Sequence, residues 1–213
     1  ISYDLRGHGG SPQGTFPYSL DVLVEDLEAL RLTLNLKKIH LVGHSLGGMI
    51  GPRYANSYSN NVLSISLLST AAFRTKEDRS KILAIVDSMK QKGIEPILST
   101  LTNRWFTDQF IEDNSDAVEF RLQQVIDTNP EVFLEVFRIY AETEMSPWLH
   151  EIEQPCFVLT GKNDGGCNPR LNKLMADCLP NSELCILDKL KHSILIEAPE
   201  IVGSRLRNFL LNL

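Results

Sequence analysis

Lys38–Gly43 (KIHLVG), the corner His44-Ser45-Leu46-Gly47-Gly48 and Met49–Tyr58 (MIGPRYANSY) place a short apolar run, a glycine-rich turn and a helical stretch in immediate succession. A short apolar run bounded by polar residues suits a strand buried in a parallel sheet. The corner contains Gly43-x-Ser45-x-Gly47, the spacing that carries a nucleophilic serine on a sharp strand-to-helix turn. Glycines two positions either side of Ser45 are expected because side chains there would collide with the neighbouring turn. Ser45 would then project its hydroxyl above the sheet's C-terminal edge, and the helix start would aim the Leu46 N–H at a developing oxyanion.

Working outward, Leu20, Leu23, Val24, Leu27, Leu30 and Leu34 recur at three- and four-residue steps, so Ser19 to Leu34 reads as an amphipathic helix with Ser19 as N-cap. Val62 to Ser69 (VLSISLLS) is strand-like again. Helix, strand, helix, strand is the alternation of an α/β sheet with right-handed crossovers. From Ala71 to about Trp148 no strand-like run occurs. Helical periods such as Ile82/Ile85/Val86/Met89 and Phe133/Val136/Phe137/Tyr140 follow one another, broken at Gly93, Pro96, Asn114 and Asn129-Pro130. The alternation resumes with strand Cys156 to Thr160, helix Pro169 to Cys178, strand Glu183 to Leu187 and helix Ile201 to Leu211. The expected organisation is a sheet domain of residues 1–70 and 151–213, split by a helical cap of residues 71–150.

Composition bounds the function. The 213 residues include 27 acidic and 21 basic side chains, a net charge of −6, with the basic residues scattered, which argues against a nucleic-acid partner. Cys156, Cys167, Cys178 and Cys185 form no C-x-x-C and have no histidines at zinc-finger spacing, so neither a metal site nor a cofactor is expected. So few cysteines suit a reduced, cytoplasmic setting. No apolar run approaches the ~18 residues of a membrane helix, so no membrane partner is expected.

A serine hydroxyl needs a base, and the base needs an orienting acid. Among His8, His40, His44, His150 and His192, only His192 lies in a loop after the last strand, where the sheet edge would bring it near Ser45. The loop after strand Cys156 to Thr160 carries Asp164; Asp188 is a second, weaker choice, and Asp164 between Asn163 and Gly165 also suits a plain turn. After strand Val62 to Ser69 no carboxylate is available up to Phe73. The chain order Ser45, Asp164, His192 is that of one serine-hydrolase frame and of neither other common one.

With these residues in place, the sequence resembles the α/β-hydrolase superfamily, cap-bearing branch, over its whole length. Asp4-Leu5-Arg6-Gly7-His8-Gly9-Gly10-Ser11 is similar to that superfamily's D-x-R-G-H-G-x-S loop, here read as a shape-setting loop for its glycines. Arg104-Trp105-Phe106-Thr107, with the Asp164 loop and the end helix from Pro199, is similar to 3-oxoadipate enol-lactonases. The acid loop departs from them in reading Gly166-Cys167-Asn168-Pro169. The resemblance implies an α/β-hydrolase fold with a helical cap and a serine hydrolase acting on a small carboxylic ester or lactone by an acyl-enzyme mechanism. It also implies a cap that selects the substrate, with Arg104 pairing a substrate carboxylate and Trp105 forming an apolar wall; ordinary cap packing and surface charge are the other reading of both, and for Arg104 it suits equally well. The same frame also serves carbon–carbon bond hydrolases, perhydrolases and small-molecule receptors. Finally, it implies that Ile-Ser-Tyr-Asp is the end of a fourth strand, preceded by three strands, a first helix and an oxyanion loop, together ~50 residues, that are missing here. On that expectation the segment alone is inactive or poorly stable, whereas its parent is a hydrolase.

Overall fold

The computed structural model describes residues 1–213. Its four strands, β1 (Ile39–His44), β2 (Val62–Leu68), β3 (Cys156–Gly161) and β4 (Ser182–Leu187), are all parallel and pair in the order β1-β2-β3-β4. Parallel pairing requires a crossover between strands. The crossovers are α2 (Gly47–Tyr58), a long helical stretch, and α8 (Pro169–Cys178), with α1 (Leu20–Thr33) ahead of the sheet. The Ser19 hydroxyl caps α1 through Val22 N–H, and α1 buries Leu23, Val24 and Leu27.

Strand β3 shows why the sheet takes two layers of helix. All six residues are buried. Cys156 and Val158 join a large core with α1, α2 and α8, whereas Phe157 and Leu159 join a second core with Val202 and Phe209. Those last two belong to the final helix, α10 (Pro199–Leu211). Alternate side chains thus feed opposite faces, as a strand's two-residue period requires. Phe157 stacks on Phe209 with ring centroids 5.2 Å apart.

Between β2 and β3 the regular structure is entirely helical: α3 (Lys76–Lys92), α4 (Leu98–Trp105), α5 (Asp108–Asp113), α6 (Ser115–Asp127) and α7 (Pro130–Glu142). Local chemistry sets their ends. Thr75 and Asp78 form a reciprocal capping box at the start of α3, and Gly93 ends it with φ +83°. Asn129 caps α7 ahead of Pro130. This stretch has its own apolar cluster of Val86, Met89, Ile94, Leu101, Val125 and Phe133.

One expectation is corrected at the start of the chain. Ile1–Asp4 has no strand conformation, because no strand of the sheet lies beside it to complete a ladder. A short helix, α9 (Ile194–Glu197), follows the His192 loop; its single turn is too brief to leave a periodic signature. No helix is long and apolar enough to cross a membrane.

Candidate active site

The loops that leave β1, β3 and β4 at their C-terminal ends open onto one cavity of about 390 Å³. Ser45, in the turn from β1 to α2, has φ +56°, a left-handed conformation that costs a residue with a side chain ~1–3 kcal/mol and persists only where its surroundings enforce it. Here they do. Ser45 N–H donates to Leu68 carbonyl at 2.9 Å, Thr70 Oγ1 donates to the Ser45 carbonyl at 2.8 Å, and Gly48 N–H closes the turn onto the same carbonyl at 3.0 Å.

The flanking glycines differ. A Cβ on Gly43 would lie 2.0 Å from the Gly47 carbonyl oxygen, so only glycine fits. At Gly47 a Cβ would meet nothing within 4 Å, which corrects the expectation that both glycines avoid a collision. Gly47 faces the cavity, so its missing side chain leaves open volume there. Leu46 N–H, in the same turn, donates to no backbone or side-chain acceptor of the chain, and Leu46 lines the cavity.

Asp164, in the loop after β3, is 3% exposed. Its Oδ1 accepts the backbone N–H groups of Gly166 (2.9 Å) and Cys167 (2.8 Å), and its Oδ2 accepts from His192 Nδ1 at 2.7 Å. Burial alone would push this carboxyl up, but the neighbouring His192 and these hydrogen bonds outweigh it and hold the group below the ordinary carboxylate range. Burial would likewise push the His192 imidazole down, but the Asp164 charge and hydrogen bond reverse the direction, and it lies above the usual histidine value. Asp188 is elsewhere, exposed and paired with Lys162 at 2.9 Å. The sheet therefore joins Asp164 to His192 directly and brings Ser45 into the same cavity, with no hydrogen bond between Ser45 and His192.

His44 holds the His192 loop from beneath. Its Nε2 donates to the His192 backbone carbonyl at 2.9 Å, and the two rings lie 4.9 Å apart. Burial, helped by the charges of His192 and Arg121, pushes the His44 imidazole down to about 4, so it stays neutral at ordinary pH. The helical stretch holds the same loop from above. Ser193 N–H donates to the Trp105 carbonyl (2.8 Å), Lys191 Nζ to the Asn103 carbonyl (3.0 Å) and the Thr107 hydroxyl to Glu197 (2.6 Å).

Arg104 and Trp105, at the end of α4, both line the cavity. A third lining residue escaped the sequence reading: Arg121 of α6, whose guanidinium lies 5.4 Å from the centroid of the Trp105 ring. It makes no ion pair; burial lowers its pKa, and its charge is felt at His44. Nothing in the sequence separates Arg121 from the exposed arginines, because only the fold turns that face of α6 inward. Three groups with metal-binding chemistry also meet here. Donor atoms of Asp164, Cys167 and His192 lie within 4.8 Å of one another, a meeting that local cysteine and histidine spacing does not reveal.

Comparison with known proteins matches residues 1–199 to the alpha/beta hydrolase fold family. The chain belongs to this family. It is 28% identical over 200 residues to 3-oxoadipate enol-lactonase 2 of Acinetobacter baylyi, covering 94% of this chain and 74% of that one. To the proline iminopeptidase of Clostridioides difficile it is 29% identical over 230 residues, covering 94% and 76%. The solved enol-lactonase from Burkholderia xenovorans superposes with a TM-score of 0.90 at 22% identity, covering 98% of this chain and 79% of that one, which shows a shared fold. This alpha/beta hydrolase thus has lactonase and peptidase relatives.

Proposed function

We propose that the protein is a serine hydrolase that opens a small carboxylic ester or lactone through an acyl-enzyme. One observation carries the reading: a strained serine at a helix start, with an unused backbone N–H beside it, shares a cavity with a histidine whose Nδ1 is fixed by a buried carboxylate. Such a histidine presents Nε2 as an acceptor, because Asp164 holds the proton on Nδ1. His192 takes the Ser45 proton as Ser45 Oγ attacks the carbonyl carbon, and Leu46 N–H donates to the developing oxyanion. His192 then returns the proton to the leaving oxygen. Water, deprotonated by the same nitrogen, releases the acid and restores Ser45.

The cavity favours a small substrate with an anionic group. Arg104 and Arg121 line it, Arg121 has no carboxylate partner, and Trp105 with Phe137 and Ile85 supplies apolar wall. Arg121 is half-buried and its guanidinium donates only a long hydrogen bond to Gln124 Oε1 at 3.4 Å, so a substrate anion would gain a cation that no carboxylate neutralises. Similarity to 3-oxoadipate enol-lactonases supports the lactone as one form of the substrate. The four free cysteines support a reducing, cytoplasmic setting.

Replacing Ser45 by Ala in the intact protein is expected to lower kcat on a p-nitrophenyl ester on the order of 10⁶-fold while leaving the unfolding midpoint unchanged. Retention of most of the turnover would overturn the reading. Multiple turnovers separate the enzyme from a small-molecule receptor, which would release one equivalent and stop.

A further inference from the structure

The acyl transfer leaves one polar group of the site without a task. Cys167 is fully buried, its backbone N–H holds Asp164, and its thiol lies 3.0 Å from the Tyr140 hydroxyl. Its Sγ completes a triangle with a carboxylate oxygen of Asp164 and a nitrogen of His192, no two of the three more than 4.8 Å apart. Thiolate, imidazole and carboxylate are the donors of zinc sites, at about 2.3, 2.0–2.1 and 2.0–2.2 Å. Tetrahedral geometry at those bond lengths sets the donors roughly 3.3–3.6 Å apart. His192 Nδ1 and Asp164 Oδ2, now 2.7 Å apart, would open by less than an ångström, and the sulfur need only draw in.

Access and charge suit the same ion. Asp164, His192 and Tyr140 line the cavity, so an ion arriving through it meets two donors at the wall and keeps its fourth position for water. A divalent cation with one carboxylate and one thiolate is neutral overall, the form that burial tolerates best. The Tyr140 hydroxyl stands where it can donate to the thiolate.

We propose that Asp164, Cys167 and His192 form a site for a thiophilic divalent cation, Zn²⁺ or Cd²⁺, and that its occupation switches off acyl transfer. Starting from neutral His192, the metal takes Nδ1, the Nδ1 proton moves to Nε2 and the Cys167 thiol proton leaves to solvent. Nε2 then carries a proton and cannot accept one from Ser45. Binding releases a proton and so tightens as pH rises. The inhibition rests on the acyl-transfer reading above, whereas the binding does not.

The test uses the intact protein with one equivalent of Cd²⁺ or Zn²⁺. Expected are a cadmium–thiolate absorption band in the ultraviolet and, for zinc by X-ray absorption, one sulfur at about 2.3 Å with nitrogen or oxygen completing the shell. Cys167→Ala should weaken binding at least ~10-fold, and Cys167→Ser likewise, if either variant folds. Ser45→Ala should bind as tightly as the unaltered protein. A shell without sulfur, which needs no variant to read, would overturn the site, as would undiminished binding by Cys167→Ala. Zinc inhibition of ester hydrolysis reversed by a chelator supports the switch. Sulfur-ligated zinc with hydrolysis continuing unchanged would overturn the switch and the assignment of His192 as base while leaving the site standing, whereas loss of the site alone leaves that assignment intact.

Discussion

The strand ends and the helical stretch meet at one cavity, and each builds its share differently. Ser45 is held by backbone hydrogen bonds from β2 and α2 and by a glycine whose Cβ has no room. Asp164 is held by two backbone N–H groups of its own loop. These positions are over-determined by main chain, which suits groups that must be placed to fractions of an ångström. Arg104, Trp105 and Arg121 instead reach the cavity as side chains of short helices packed on a separate apolar cluster. That arrangement lets the lining vary without disturbing the strand ends. Chemistry on one side and choice of substrate on the other is therefore the division the two regions suggest.

Four changes break or sharpen that division. The largest effect after Ser45→Ala is expected from Asp164→Asn, which should cost about 10⁴-fold in kcat because the amide no longer fixes the His192 tautomer. The pH profile should move with it. Activity needs neutral His192, whose pKa the Asp164 carboxylate raises, so kcat/KM should climb with pH through and above the ordinary histidine range; in Asp164→Asn the midpoint should move down. A profile unmoved by Asp164→Asn would separate the two groups.

On the helical side, Arg121→Met should raise KM for an ester carrying a carboxylate by about 10–100-fold, the scale of a lost charged hydrogen bond, with a neutral ester of equal size little affected. Equal losses on both esters would place Arg121 with the packing of α6. Gly43→Ala should lower stability by about 1–3 kcal/mol through overpacking at the turn, read in thermal or urea unfolding. Gly47→Ala is the smallest change expected. It should leave stability within about 1 kcal/mol, because its Cβ meets only open cavity, and any effect should fall on KM.

Acid should also weaken the fold. His44 is neutral in the folded protein down to about 4 but accepts a proton near 6.5 when unfolded. Its contribution to stability is complete above pH 6.5 and is lost as pH falls towards 4, because the unfolded state binds the additional proton. Unfolding midpoints measured across that window should fall, and His44→Gln should flatten the slope.

The strand-side residues were readable because their constraints are local. A glycine-flanked serine between a strand and a helix has few other uses; polar residues just past strand ends have several, as Asp188 in its exposed pair with Lys162 shows, and chain order narrowed them. The Lys38–Gly43 and Val62–Ser69 readings fall within a residue of β1 and β2, but only β2 is buried along most of its length; β1 is an edge strand in which Leu41 alone is buried, which corrects the expectation of a buried strand there. What was not readable depends on tertiary placement. Arg121 is one arginine among several until α6 is oriented. Cys167 looks isolated until its loop folds back against His192, 25 positions later. Gly47 satisfies the same spacing as Gly43, yet only the folded chain shows that one fills a tight corner and the other leaves space. Ile1–Asp4 has the residues of a strand end but no neighbour to pair with.

The most direct measurement of Ser45 as nucleophile is to mix the intact protein rapidly with a p-nitrophenyl ester, quench in acid and map the acylated peptide by mass spectrometry. A burst of one equivalent of p-nitrophenol, with the acyl group on Ser45 and lost with the kinetics of turnover, is expected. Turnover without an acyl adduct on Ser45, or an adduct on another residue such as Cys167, would contradict it.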